Sequence, residues 1–299
     1  MINTRIIHHE FSYSNPGTLA EALELNNEPG STVLAGGTDL INRLKLETAT
    51  PSRIIYLAGI RELWDFCCDD GLKIGAMVPM RRVEKCRTVQ QRYPGLYEAL
   101  SSVGGWQIRN MATIAGNIAN ASPAADSSPV LMVCGAECEI SSMDSKKNVL
   151  SRIMPVADLF AGPGKTHLAD NEIITAILVP PLGSDVGTAF ERSARVKLDV
   201  AKASAAVCLH REGTRCADIA VAVGSVGPVP LRAGTVEGML KGAVMEKKRI
   251  EDAAEVIADD ITPIDDVRST KKYRNHVMKI LVRDALISAW KRSGGGELK

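Results

Sequence analysis

Aromatic residues are scarce in this 299-residue chain: Phe, Trp and Tyr together make up 4%. Few flat faces are left on which unpaired bases could stack, which removes the usual platform for single-stranded nucleic acid. An excess of either charge is also missing. Lys plus Arg number 36 and Asp plus Glu 35, so the net charge of +1 offers no footprint for nucleic acid or an anionic membrane. No apolar run approaches the roughly 18 residues of a membrane span, and the opening "MINTRIIHHEFSYSN" lacks the apolar segment of a secretory signal. These absences predict a cytoplasmic chain with no nucleic-acid or membrane partner.

Metal frameworks are missing too. The seven cysteines (Cys67, Cys68, Cys86, Cys134, Cys138, Cys208, Cys216) contain no C-x2-C pair, so they read as reduced thiols in ordinary packing. His8, His9, His167, His210 and His276 are scattered, and no metal site is expected. There is no G-x-S-x-G elbow, and no serine or cysteine stands in a nucleophile's context, so nothing points to hydrolysis. "FAGPGKT" (160–166) ends like a P-loop, but the motif needs glycine where Leu159 stands. What survives is a tight loop whose Lys165 could face a phosphate, a partner protein or only solvent.

What is present is ample apolar material, 45% of residues, in a length that suggests about two domains. Thr18 followed by Glu21 in "TLAEALEL" is a capping box opening a helix. "STVLAGG" then "TDLINRLKLE" reads as strand, glycine turn, helix. "RIIYLAGI" and "GLKIGAMV" read as strands with a helical piece near 62–66 between them. "SPVLMVCGA" reads as a helix, "AECEISS" as an edge strand by its alternation, and "EIITAILVPP" as a buried strand ended by prolines. "LGSDVGT" is the best linker, which puts a boundary near residue 182. Beyond it, strands ("GTAFERSAR", "SAAVCLHR", "ADIAVAVGSV") precede helices ("AGTVEGMLKG", "EKKRIEDAAEVIADD", "KKYRNHVMKILVRDALISAWKR"), the order of an α+β domain over 183–292. The last residues, 293–299, read as a flexible tail. "ERSARVKLD" (191–199) alternates charge and reads as a solvated strand face, or as a basic rim through Arg192 or Arg195.

Two stretches concentrate small residues. "LAGGTDL" (34–40) ends a strand with two glycines where a helix would start, a turn that presents backbone N–H groups to an anion or simply closes tightly. "TIAGNIANASPAADSSP" (113–129) contains one charge, Asp126. With Thr113, Gly116, Asn117 and Ser122 it offers hydroxyls, an amide and a carboxylate on a backbone almost without bulk. Two such turns fit a dinucleotide. The plainer account makes Asp126 the N-cap of the following helix.

The run Q-I-R-N-x-A-T-x-x-G-N-I-x-x-A-S-P-x-x-D (107–126), with "LAGGTDL" before it and "FAGPGKT" and "DNEIITAILVP" after, resembles the FAD-binding medium subunit of molybdenum hydroxylases of the xanthine dehydrogenase and carbon monoxide dehydrogenase type. The similarity runs from about Phe11 to Trp290. It implies an α+β fold: a two-subdomain FAD domain of the vanillyl-alcohol-oxidase-like type over 1–182, then the smaller α+β domain, antiparallel sheet plus helices. By the same resemblance, Val33, Leu34, Ala35, Gly36, Gly37, Thr38, Asp39 and Leu40 wrap the pyrophosphate. Ala112, Thr113, Ile114, Ala115, Gly116 and Asn117 contact the same region, Ser122 and Ile174 lie beside the flavin, and Asp126 binds the cofactor. Val103 stands where some relatives carry an aromatic near the adenine, and Arg192, beside Glu191 at the relatives' lysine position, is taken as the basic contact. No residue is expected to act as a catalyst apart from the flavin. The implied partners are a small subunit with [2Fe-2S] clusters and a large subunit with the molybdenum cofactor, and the implied acceptor is NAD+. A free-standing flavin oxidase and a flavin-free scaffold remain the alternatives.

Overall fold

The computed structural model describes residues 6–298. Three short strands, β1 (Ser12–Ser14), β2 (Ser31–Leu34) and β3 (Arg53–Tyr56), form a parallel sheet in the order β1-β3-β2. Parallel neighbours need crossovers, and α1 (Leu19–Asn26) and α2 (Leu40–Lys45) lie in them. Thr18 caps α1 by accepting the Glu21 N–H at 3.2 Å. The Glu21 carboxylate answers one residue farther out than the sequence motif implies, taking the Gly17 N–H at 2.9 Å.

A second sheet follows. It contains β4 (Phe66–Cys67), β5 (Leu72–Gly75), β6 (Glu137–Met143) and β7 (Val149–Pro155). After β7 come a small hairpin, β8 (Phe160–Gly162) with β9 (Lys165–Thr166), and then β10 (Ile173–Val179). The sheet order is β4-β5-β10-β6-β7, all antiparallel. The expected buried strand, β10, is central, and its burial explains why nearly every residue in it is apolar. The expectation that "AECEISS" is an edge fails: β6 sits between β10 and β7. Its alternation reflects one buried face, and the true edge, β7, is exposed at most positions and carried no clear strand pattern.

Between β5 and β6 run six helices: α3 (Met80–Glu84), α4 (Arg87–Arg92), α5 (Pro94–Ser102), α6 (Trp106–Met111), α7 (Ile114–Ala119) and α8 (Ser127–Val133). Every residue of α8 is buried. The reason lies in the remaining sheet, β11 (Val186–Ser193), β12 (Ala203–Glu212), β13 (Arg215–Gly224) and β14 (Leu231–Arg232), paired in that order. One face of this antiparallel sheet sends Val207, Val221 and Val223 into a core closed by α9 (Gly234–Leu240), α10 (Lys247–Glu255) and α11 (Lys271–Arg292). The opposite face sends Phe190, Ala206 and Ala222 into the core of the preceding elements, where α5 and α8 pack on it. Small residues on that face let α8 approach closely. Both faces are therefore dry, and the sheet is a shared wall.

Other seams are equally tight. Gly95 of α5 lies with its backbone against Ala189, and its N–H donates to the Thr188 hydroxyl at 3.1 Å. Arg292 of α11 binds both the Glu98 carboxylate and the Thr188 carbonyl. Ser293–Gly296, within the stretch expected to form a tail, stay on the protein: Ser293 is buried and Trp290 Nε1 donates to the Gly296 carbonyl at 2.9 Å. Among the described residues no helix is long and apolar enough to cross a membrane.

A Cβ on Gly187 would lie 2.0 Å from the Ala289 carbonyl oxygen, so Gly187→Ala must part β11 from α11. Its expected cost is about 1–3 kcal/mol of unfolding free energy. Gly238, exposed in α9 with open space around its Cβ position, is expected to respond oppositely, Gly238→Ala gaining about 0.5–1 kcal/mol. Urea midpoints for the two variants check both signs.

Candidate functional site

The two glycine-bearing loops meet. A Cβ on Gly36 would lie 2.0 Å from the Met111 carbonyl oxygen and 2.9 Å from the Ala112 Cα, so the β2–α2 turn rests directly on the backbone leading into α7. Gly116 faces Ala35, whose Cβ is 3.8 Å from where its own would be. Gly37 adopts φ +73°, which a side chain would strain. Some of the thinness read from sequence therefore serves loop-on-loop contact. The rest opens a groove of about 530 Å³ between these loops, the start of β10 and the segment after β11.

Every residue named from the resemblance as a cofactor contact lines this groove except Ile114. That expectation is corrected: Ile114 is 1% exposed and packs in the main core, because the first position of α7 turns its side chain inward. Thr113 caps α7 by accepting the Gly116 N–H at 3.0 Å, and Asn117 accepts from the Ser127 hydroxyl at 2.7 Å. Ala121, at φ +48°, holds the turn before Ser122, and its carbonyl accepts the Gly164 N–H at 2.9 Å. The "FAGPGKT" hairpin thus props the groove wall from behind, while Lys165 stays exposed. Pro123 joins the other wall through the Ser225 N–H at 2.8 Å.

Asp126 is 5% exposed and is not the helix cap that the plainer reading expected; its side chain makes no capping bond. Its Oδ2 accepts from the Ser102 hydroxyl at 3.0 Å and from Arg192 Nη1. Its Oδ1 is buried with no partner among the described residues. Burial raises its pKa above 3.8, with Arg192 and Ser102 acting in the opposite direction. Arg192, expected as a basic rim or, by the resemblance, as a basic contact of the cofactor, is largely buried. It also donates to the carbonyls of Ser102, Lys197 and Asp199. Arg195 matches the solvated reading, making an exposed pair with Asp199.

The Arg of Q-I-R-N has a role the sequence did not disclose. Arg109 is 4% exposed and donates to the Val103 and Gly104 carbonyls at 3.1 and 2.7 Å and to Glu84 at 2.9 Å. Two arginines therefore neutralise the last carbonyls of α5, where the helix dipole is negative. Glu84 is desolvated, but Arg81 and Arg109 outweigh that and hold its carboxyl below the ordinary 4.5. On the far wall Glu172, beside Ile173 and Ile174, is held bidentately by Arg152 and accepts the Ala169 N–H. Ser102, Gly104, Ile108 and the segment Leu198, Asp199, Val200 also line the groove without having been singled out. Leu198 and Asp199 belong to an alternation that reads as a solvated strand; only the fold turns it over the opening.

Removing Arg109 leaves two carbonyls bare and Glu84 half-paired, so Arg109→Ala is expected to cost about 3–5 kcal/mol, read by urea unfolding. Because Glu84 titrates lower when folded, the stability it lends is complete above 4.5 and is withdrawn as pH falls through the lower folded value. Glu84→Gln should flatten that acid limb of the stability–pH curve.

Comparison with known proteins converges on one family. Residues 9–182 match the family described as FAD binding domain in molybdopterin dehydrogenase, and residues 188–289 match CO dehydrogenase flavoprotein C-terminal domain. A glyceraldehyde dehydrogenase medium chain from Sulfolobus acidocaldarius is 33% identical over 92% of this chain and 97% of its own length. A xanthine dehydrogenase FAD-binding subunit from Escherichia coli is 29% identical over 95% of this chain and 97% of its own. A chain of the carbon monoxide dehydrogenase structure from Hydrogenophaga pseudoflava superposes with a TM-score of 0.90 at 30% identity, covering 96% of this chain and 99% of that one. With two glycine loops closing a groove under a buried carboxylate, and with both family matches spanning nearly its whole length, this chain belongs to the FAD-binding medium subunits of the molybdenum hydroxylases, a family of oxidoreductase subunits.

Proposed function

We propose that the groove holds FAD and that the chain relays electrons from the [2Fe-2S] clusters of a small partner subunit to an acceptor, NAD+. A large partner subunit bearing the molybdenum cofactor would oxidise the substrate. The observation that carries the reading is the orphaned Asp126 Oδ1, a buried acceptor on the groove wall beside two converging loops. A buried acceptor without a donor costs about 1–3 kcal/mol, and a cofactor N–H or hydroxyl reaching it would recover that. The donor set fits: the glycine loop Ala35–Asp39 and the Thr113–Asn117 turn suit a diphosphate, and Ser122, Ile174 and Arg192 surround the remainder.

Bound there, FAD would supply a centre able to exchange single electrons on one side and electron pairs on the other. The residues of this chain bind and shield. Arg192 ties Asp126 to the 197–199 segment, so the carboxylate and the cover over the opening are positioned together. Ile174, 6% exposed, offers an apolar surface that excludes water. A division into a cofactor-binding part over 1–182 and a covering part over 183–292 belongs to this reading. So does a cytoplasmic setting, supported by seven cysteines that are all unpaired in disulfides.

Purified chain is expected to show flavin absorbance, or to gain it with one equivalent of FAD. A chain that stays colourless sinks the proposal. Asp126→Asn keeps the shape but weakens a charged acceptor, and should lower FAD affinity about ten- to a hundredfold, the equivalent of roughly 1.5–3 kcal/mol. Unchanged flavin content after dialysis would assign Asp126 to Arg192 alone. In the assembled enzyme, substrate-driven reduction of NAD+ should depend on bound FAD, and steady peroxide formation by the lone chain with small alcohols or amines would favour an oxidase instead.

A further inference from the structure

Away from the groove, two thiols face each other. Cys68 lies in the turn between β4 and β5 and Cys86 at the junction of α3 and α4, with Sγ atoms 3.9 Å apart. Both are half-buried at the edge of the main core, within reach of a small solute. Cys134 and Cys208 also interact, but Cys134 is buried in the main core, out of a solute's reach. Cys138 and Cys216 are buried, and burial pushes each thiol up to about 12, so neither is a nucleophile near neutrality. Burial also acts on Cys86, but the backbone N–H groups of Val89 and Thr88 and the Cys68 thiol outweigh it and draw its pKa below 9.0. Those amides favour the thiolate although Cys86 makes no capping hydrogen bond. Cys68 is held in the thiol form, the state of a group waiting to be attacked or to resolve an attack.

We infer that Cys68 and Cys86 are a peroxide-responsive dithiol that closes reversibly to a disulfide. The Cys86 thiolate attacks one oxygen of hydrogen peroxide; the S–O bond forms, the O–O bond breaks, and the departing hydroxide takes up a proton as water. Cys68 then loses its proton and its sulfur displaces the oxygen from Cys86. The S–S bond forms, the S–O bond breaks, and a second water leaves. Two electrons pass from the thiol pair to one peroxide. A small dithiol reverses the reaction by exchange. The sulfurs must approach from 3.9 Å to about 2.05 Å, and the segment that has to yield is a turn rather than a strand: Asp69 and Asp70 are exposed, while Gly71, buried at φ +81° against the Val179 carbonyl, anchors the turn to β5. Cys86 is two residues from Glu84, so closure fastens the helix that carries the partner of Arg109 to the β4–β5 turn. None of this depends on what fills the groove.

The test treats the full-length chain with one equivalent of hydrogen peroxide, followed by non-reducing peptide mapping. The expected product is a Cys68–Cys86 cross-linked peptide pair lighter by two hydrogens, restored by dithiothreitol and formed equally well in Cys67→Ser. Cys68→Ser should leave a sulfenic acid on Cys86 that dimedone traps. Before oxidation, iodoacetamide at pH 7 should label Cys86 at least about tenfold faster than Cys216. Equal labelling rates, cross-links between other cysteines, or sulfinic acid at Cys67 before any cross-link forms would each overturn the inference. Because circular dichroism of the serine variants reports folding separately, a misfolded variant cannot be mistaken for a lost reaction.

Discussion

The backbone of the β2–α2 turn passes over the backbone entering α7 with no room for a single methyl group between them, since a Cβ at Gly36 would fall 2.0 Å from the Met111 oxygen. Most of the site's layout follows from this approach. It sets Gly37, Thr38 and Asp39 on one lip of the groove and Thr113, Gly116 and Asn117 on the other, close enough for one extended ligand to touch both. It also binds the three-stranded parallel sheet to the helical stretch that runs between β5 and β6 of the five-stranded one, two sheets with no shared strand. Small residues here have a double use, packing the loops on each other and leaving a ligand access to backbone amides.

The second organising element is the end of α5. A helix C-terminus pointed at a groove presents bare carbonyls and a negative dipole, both unfavourable for an anionic ligand. Arg109 covers Val103 and Gly104 from within the fold, and Arg192 covers Ser102 from β11. Each arginine is compensated by a buried carboxylate, Glu84 in one case and Asp126 in the other. Such buried pairs are weak sources of net stability but strong sources of position, because losing either partner strands the other. The cost of the arrangement is visible at Asp126, whose second oxygen stays unpaired, and a site that carries an unmet acceptor is prepared for a donor.

The sheet of β11–β14 turns a two-part chain into one with a continuous interior. Its alternation divides the work: Val207, Val221 and Val223 feed the C-terminal core with Ala189, Ala203 and Ala205, while Phe190, Ala206 and Ala222 face α5 and α8. Because Arg192 leaves the same strand toward the groove, the strand that seals the seam also delivers the residue that closes the site. The matches to molybdenum hydroxylase medium subunits span both parts, in keeping with a site to which both contribute.

Local chemistry was enough to read much of this. Period and caps identified α1, β2, β10 and the C-terminal strands and helices, because Thr18, paired glycines and β-branched runs act within a few residues of themselves. The small-residue stretches likewise marked the groove's lips, since lack of bulk is a property of the residues alone. Long-range partners were not legible. Whether β6 is an edge depends on β7, which carried no clear strand pattern, and on β10, which returns later in the chain to pair with its other side. Asp126 could be read as a cofactor contact or a cap but not as half of an ion pair, because Arg192 is 66 residues distant, and Arg109 looked like a motif letter because Glu84 is 25 residues away. The sequence by itself determined the helices and strands with strong period or caps and the bare turns; only the tertiary structure decided which charges meet, because burial and pairing arise when separate segments exclude water between them.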